Sequence, residues 1–245
     1  MRLAQILFSQ GFGTRRECNR LIAAGHVTVQ GKTQDDPLLE VEPVGLVFRV
    51  SGVEWPYREH ALVMLNKPAG HECSQKPRHH PSVYSLLPAP LRRRDVQAIG
   101  RLDADTTGLL LFTDDGALIH RLTSPRQHVA KVYEVACKHA VNETQARRLV
   151  DGVMLLDETT PLRAAACEVT GQTTLRLSLL EGKYHQVKRM VAAVGNRVQA
   201  LHRSRFGALS LPADLASGQW CWLDGPHLLA ADNAAHARIQ RGTPS

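Results

Sequence analysis

The stretch at 99–116, IGRLDADTTGLLLFTDDG, sets two carboxylates, Asp103 and Asp105, close to a guanidinium, Arg101, and two hydroxyls, Thr106 and Thr107. A carboxylate in such a place can attack an electrophilic carbon, stabilise positive charge, or help hold a hard cation. The apolar runs at 96–99 and 109–113 are predicted strands, so Asp103 is expected at the rim of a sheet, with Gly108 as a permissive joint where the chain turns back into the core. An isolated Asp in a loop more often caps a turn or pairs with a neighbour such as Arg101. A metal-binding D-x-D pair is the other alternative, but no phosphate-cradling glycine loop accompanies it.

Two further segments carry groups that could join this carboxylate. Residues 131–135, KVYEV, alternate as a strand and place Tyr133 on one face. In 181–190, EGKYHQVKRM, Val187 and Met190 start an apolar stripe that continues through Val191 and Val194, so a helix is predicted with Lys188 off its buried face. Before the central motif, 61–66 (ALVMLN) is a predicted buried strand leading into the turn Lys67-Pro68-Ala69-Gly70.

Taken together, G-R-L-D-x-x-T-x-G-L-L, N-K-P-x-G, K-x-Y and E-G-K-Y-H-Q-V-K-R-M resemble the signatures of the pseudouridine synthase family. The resemblance implies Asp103 as the catalytic carboxylate, Tyr133 as the active-site tyrosine and Lys188 as the basic partner of Asp103, with Arg189 in reserve. It also implies that Arg101 fills the space left by a flipped base or holds a phosphate, and it puts Lys67 and Arg189 among the RNA-binding residues. No cofactor and no metal are implied, because moving uracil from an N1 to a C5 linkage needs no redox change or external group. The continuation T-T-G-L-L-L-F-T-D-D-G, and L-H-R after Y-H-Q-V-K-R-M, favour the branch acting on one uridine of 16S rRNA, alone or in a small-subunit assembly intermediate. A 23S rRNA substrate is the alternative within the family.

The elements that must position these residues fall into two modules. Residues 1–53 open with a short amphipathic helix, followed by Thr14-Arg15-Arg16-Glu17, a capping box that starts a second helix with Arg15, Arg16 and Arg20 on one face. A V-T-V strand and a Gln30-Gly31-Lys32 turn follow, and this order resembles the S4 RNA-binding domain. Residues 54–60 are the expected linker, 61–231 the catalytic domain and 232–245 a loose tail. The fold class expected is α+β, a small S4-like module followed by a mixed, mainly antiparallel sheet, acting as a monomer.

Composition narrows the partners. Over 245 residues the formal charge is +7, which suits a polyanion, and two basic segments, 67–101 and 181–205, flank the central motif. There is no apolar run of membrane-spanning length and no signal-peptide pattern, so a cytoplasmic protein is expected. Five widely spaced cysteines without a C-x-x-C pair suggest reduced thiols rather than a disulfide framework or zinc ribbon. His71, Cys73, His79 and His80 match no common ligand spacing and are expected in a mobile basic loop touching RNA. Residues 92–94, all arginine, are expected in an exposed connection. A non-catalytic S4-type RNA-binding or ribosome-assembly factor would share the basic charge and the first module but would not need the central carboxylate.

Overall fold

The computed structural model describes residues 1–224 and the two-residue strand Gln240–Arg241. At the N-terminus, helices α1 (Leu3–Ser9) and α2 (Arg15–Ala23) bury Leu3, Ile6, Leu7, Cys18 and Ile22 completely. The capping box forms as its spacing predicts: Thr14 N donates to Glu17 Oε2, and Glu17 N to Thr14 Oγ1. These helices cover a four-stranded antiparallel sheet of β1 (Val27–Val29), β2 (Lys32–Gln34), β3 (Val47–Val50) and β4 (Val53–Pro56), in the order β2-β1-β3-β4.

Strand β4 revises the expected boundary at residue 53. Ser51 and Gly52 both have positive φ, the geometry of a tight hairpin turn, and fold β4 back so that Trp55 pairs with Phe48. Trp55 then reaches past its own sheet. Its ring lies 5.2 Å from Phe12 and 5.2 Å from Trp222, both edge-on, and 6.5 Å from Trp220. The two modules therefore share one aromatic core across the expected linker.

Arg94 completes that junction, and the expectation of an exposed 92–94 connection fails for it. Its side chain is only 5% exposed and ion-paired with Asp114, while its guanidinium also donates to Gln10 Oε1 and the carbonyls of Arg58 and Glu59. Gln10 closes the loop by accepting from Arg58 N and donating to Arg58 O. Substituting Ala for Arg94 takes the cation from the partly buried Asp114 and the donor from Glu59 O, and removes one of two donors to Gln10 Oε1 and to Arg58 O. The expected cost is about 3 kcal/mol, read as a lower urea midpoint with the catalytic residues untouched.

The rest of the chain builds a ten-stranded sheet. In chain order it comprises β5 (Leu62–Lys67), α3 (Ala89–Arg93), β6 (Gln97–Ile99), β7 (Thr107–Thr113), α4 (Gly116–Thr123), β8 (Lys131–Cys137), α5 (Glu143–Asp151), β9 (Ala166–Gly171), β10 (Thr174–Leu179), α6 (Gln186–Ala193), β11 (Val198–Phe206), β12 (Leu209–Ser210), β13 (Trp220–Trp222) and β14 (Gln240–Arg241). The spatial order is β14-β13-β5-β7-β11-β8-β10-β9, with β6 on β7 and β12 on β11. Among the described residues every pairing is antiparallel except β7 with β11. Strands β5 and β7 are continuous apolar runs because both of their faces are covered. Val63, Leu65, Leu110 and Phe112 enter the large core shared with α6, and Leu62, Met64, Leu109 and Leu111 face Leu118 and Leu122 of α4.

All five cysteines are free thiols, four of them buried. After β5, Val83–Leu86 forms a single 3-10 turn. Of the expected tail, Gln240–Arg241 pairs with β13, and the remainder lies outside the described residues.

Candidate active site

Register across the sheet lines up one row of side chains. Lys67 of β5 pairs with Gly108 of β7, Gly108 with Arg203 of β11, and Arg203 with Tyr133 of β8. Paired residues share a face of the sheet. Gly108 is required here because, with φ +102°, an added Cβ would lie 2.3 Å from the Arg203 carbonyl oxygen. Gly108→Ala is expected to cost about 3 kcal/mol or more, through strain and separation of β7 from β11, measurable by thermal or urea denaturation. Arg203 adds to that junction from its buried side chain, donating from Nε to Leu109 O at 2.8 Å.

The loop between β6 and β7 holds the central carboxylates, and it is tied down from below. Lys67 is fully buried, and its ammonium donates to the carbonyls of Pro68, Ala104 and Thr106 at 3.0, 3.1 and 2.8 Å. Burial lowers its pKa, and the carboxylates of Asp105 and Asp103 oppose that shift. The assignment of Lys67 to RNA binding is therefore corrected: its three donors hold the carboxylate loop in place and none faces solvent. Gly70 N donates to Ala104 O at 2.8 Å, and Thr106 N to Asp103 O at 3.1 Å, which completes the turn.

From the other side, α6 delivers its cation. Lys188 Nζ lies 3.0 Å from Asp103 Oδ2 and 2.7 Å from Asp105 Oδ1. His185, the residue before α6, places Nε2 3.3 Å from Asp103 Oδ1. Its backbone is left-handed (φ 47°, ψ 32°), uncommon outside glycine, and its ring stacks on Tyr184 at 3.9 Å. Burial pulls the Lys188 pKa down, but its hydrogen bonds to the Asp105 and Asp103 carboxylates outweigh that and hold the ammonium above its ordinary value. For Asp105 burial acts upward, and the Lys188 hydrogen bond and charge outweigh it, so the carboxyl titrates lower than usual.

These shifts fix the pH window of the clamp. The lowered Asp105 contributes above its unfolded value, 3.8, and that contribution fades as pH falls through the folded value. The raised Lys188 contributes below 10.5 and fades only as pH rises past its higher folded value. At neutral pH the clamp is complete. Asp103 is 29% exposed, so a ligand can reach it.

The remaining candidates separate by environment. Tyr133 is 8% exposed on the same face as Lys67 and Arg203. Arg101 is exposed two residues from Asp103. Arg189 points elsewhere, donating to Tyr184 O and pairing with Asp157, so Lys188 alone of the two meets Asp103. Arg15, Arg16 and Arg20 are exposed on α2, with Arg15 lying over the Phe8 ring. The D-x-D carboxylates converge on the Lys188 ammonium. Among the described residues no group of three or more His, Cys, Asp or Glu is gathered that could hold a metal ion.

Two members of the cluster were not assigned a place in it by the sequence: His185 and Asp105. The signal for His185 is its position in Y-H-Q just ahead of the helix that carries Lys188. Asp105 is legible only as half of a D-x-D pair, which suggests metal rather than ammonium.

Comparison with known proteins places this geometry. Residues 61–193 match the RNA pseudouridylate synthase family model, and residues 1–45 match the S4 domain model. Ribosomal small subunit pseudouridine synthase A of Yersinia pestis is 41% identical over 223 residues, covering 90% of this chain and 93% of that protein. Its counterpart in Escherichia coli K12 is 40% identical over 220 residues, covering 90% and 95%. An uncharacterised RNA pseudouridine synthase of Bacillus subtilis is 39% identical over 223 residues, covering 90% and 93%. A crystal structure of a pseudouridylate synthase superposes with a TM-score of 0.65 at 32% identity, covering 93% of this chain and 98% of that one.

Proposed function

The chain belongs to the RNA pseudouridylate synthase family, and from that premise we propose that it converts one uridine of 16S rRNA to pseudouridine with Asp103 as the reacting carboxylate. The observation that carries the reading is the Lys188–Asp103 ion pair at 3.0 Å, on a partly open carboxylate whose loop is anchored from beneath by Lys67. The small-subunit substrate is supported by the names of the Yersinia and Escherichia relatives.

The reaction breaks the bond from ribose C1′ to N1, turns the uracil, joins C5 to C1′ and releases the C5 proton. Asp103 serves the first step by attacking C1′ or by stabilising positive charge there. Lys188 and His185 fix its two oxygens, so the carboxylate meets the sugar in one orientation. Tyr133, on the face shared with Arg203, packs against the detached uracil and assists removal of the C5 proton. The target must leave its stack, which costs a few kcal/mol, and the exposed Arg101 fills the gap or grips a phosphate. The α2 arginines hold folded RNA at a distance from the reacting base. The protein acts as a monomer in the cytoplasm.

The test is carbodiimide mapping of unmodified 16S and 23S transcripts after incubation with the protein in EDTA. One new pseudouridine in 16S rRNA is expected. A site in 23S rRNA alone would overturn the substrate, and no site in either RNA or in a small-subunit assembly intermediate would return the protein to the assembly-factor reading.

A further inference from the structure

The segment from Glu72 to Ser82 is organised by an acid. Glu72 Oε1 accepts from the backbone N–H of His79 and His80 at 2.8 and 2.9 Å, and Oε2 from that of Arg78 at 3.1 Å. Three amides on one carboxylate fix the tip of the loop. The base is closed as well. Glu72 N donates to Pro81 O and Val83 N to Glu72 O, both at 2.9 Å, and Ser82 Oγ donates to Ser74 O at 2.6 Å. The amides of Arg78 and His79 lower the Glu72 pKa and outweigh burial, as expected for a carboxylate used as a structural acceptor. A mobile loop, the sequence expectation, is not what these bonds describe.

What the frame displays is basic. Residues 75–80 are exposed, and they carry Lys76, Arg78, His79 and His80, with no acidic side chain among them. What the frame is fastened to is the carboxylate loop. Leu102 N, adjacent to Asp103, donates to the buried Cys73 Sγ at 3.4 Å, and Gly70 N donates to Ala104 O at 2.8 Å. One end of the loop is thus bonded to the turn that carries Asp103, and its other end presents cations to solvent.

We propose that residues 72–82 form a preorganised phosphate-gripping arm that fixes the register of the RNA strand at the active site, with Glu72 as its positioning residue and Lys76 and Arg78 as its contacts. The proposal rests on the RNA-modifying reading above. Phosphate is the chemistry that suits it, since two long cations on a fixed backbone lose less conformational freedom on binding than the same cations on a loose one. Glu72 itself touches no RNA.

That arrangement has a consequence opposite in sign to simple charge. Glu72→Gln removes a negative charge from a protein that binds a polyanion, so long-range electrostatics alone would tighten binding. If Glu72 frames the arm, binding weakens instead.

The experiment is filter binding of a 16S rRNA transcript to the full chain across a series of KCl concentrations. The proteins compared are wild type, Glu72→Gln, and a Lys76→Ala/Arg78→Ala double variant. The double variant is expected to bind about tenfold more weakly at 0.1 M salt and to lower the slope of log affinity against log salt by about 1.5, the loss of two phosphate contacts. Glu72→Gln is expected to weaken binding about threefold to tenfold despite its added positive charge. An unchanged slope in the double variant, or Glu72→Gln binding as tightly as wild type or more tightly, would overturn the proposal. Both substituted side chains of the double variant are exposed, so it reports even where Glu72→Gln fails to fold. Pseudouridine formation by wild type on the same transcript is scored in parallel. Its absence counts against the proposed function, whereas the slopes judge the arm.

Discussion

Asp103→Asn is expected to abolish measurable pseudouridine formation, lowering the single-turnover rate by about a thousandfold or more, while rRNA affinity stays within about twofold of wild type. The amide is nearly isosteric, and the bond from Thr106 N to the residue 103 carbonyl belongs to the backbone, so the turn survives. What disappears is the negative charge that the proposed step at C1′ requires. An amide is a poor nucleophile and does not stabilise a cationic sugar carbon. The side chain is 29% exposed and contributes little packing, so stability should change by well under 1 kcal/mol. A variant that keeps turning over would place the chemistry elsewhere, and one that loses RNA binding would make Asp103 a structural residue. Single-turnover assays at saturating enzyme, read with a parallel binding curve, separate these outcomes.

Lys188→Met should have the next largest effect, a fall in the rate of about a hundredfold together with a change in its pH dependence. The substitution keeps the helical stem and removes the ammonium that, alone among the described residues, pairs with both Asp103 and Asp105. The two carboxylates then lose the ammonium they share, and His185 stays 3.3 Å from Asp103. Like charges at close range favour protonation. In the wild type Lys188 outweighs the burial of Asp105 and holds its carboxyl below the ordinary range. Without it, Asp105 titrates at higher pH, and the acid limb of the rate profile should move upward. Lys188→Arg keeps the charge and should recover part of the rate without that shift, whereas an acid limb that stays fixed in Lys188→Met would show that the clamp does not govern the carboxylates.

Most of the architecture was legible because short-range patterns agreed with the final packing. The α2 capping box, the alternation of β8, the helical stripe of α6 and the apolar runs of β5 and β7 are local signals, and the fold preserves them. The junction between modules was not legible. Trp55 reads as part of a linker until its pairing with Phe48 and its packing on Trp222 are seen, and Arg94 reads as solvated until Asp114 and Gln10 close around it. Lys67 was misread for the same reason. A lysine after a strand looks like a surface cation, and only the carbonyls of Ala104 and Thr106, distant in sequence, explain its burial. In the site, the resemblance to the family's motifs brought out Asp103 and Lys188. The pairing of Lys188 with two acids, and of His185 with one, depends on how α6 meets the β6–β7 loop, and the sequence does not encode that angle locally.

The most direct measurement is tritium release from 16S rRNA transcribed with [5-³H]uridine and incubated with the wild-type protein in EDTA. Exchange of the N1 linkage for a C5 linkage frees that hydrogen, and with no methyl donor present C5 methylation cannot. The result expected is a plateau near one tritium per RNA molecule, with none released by Asp103→Asn. Equal release by the variant, or no release by wild type from either the free RNA or a small-subunit assembly intermediate carrying it, would contradict an aspartate-dependent isomerisation of uridine.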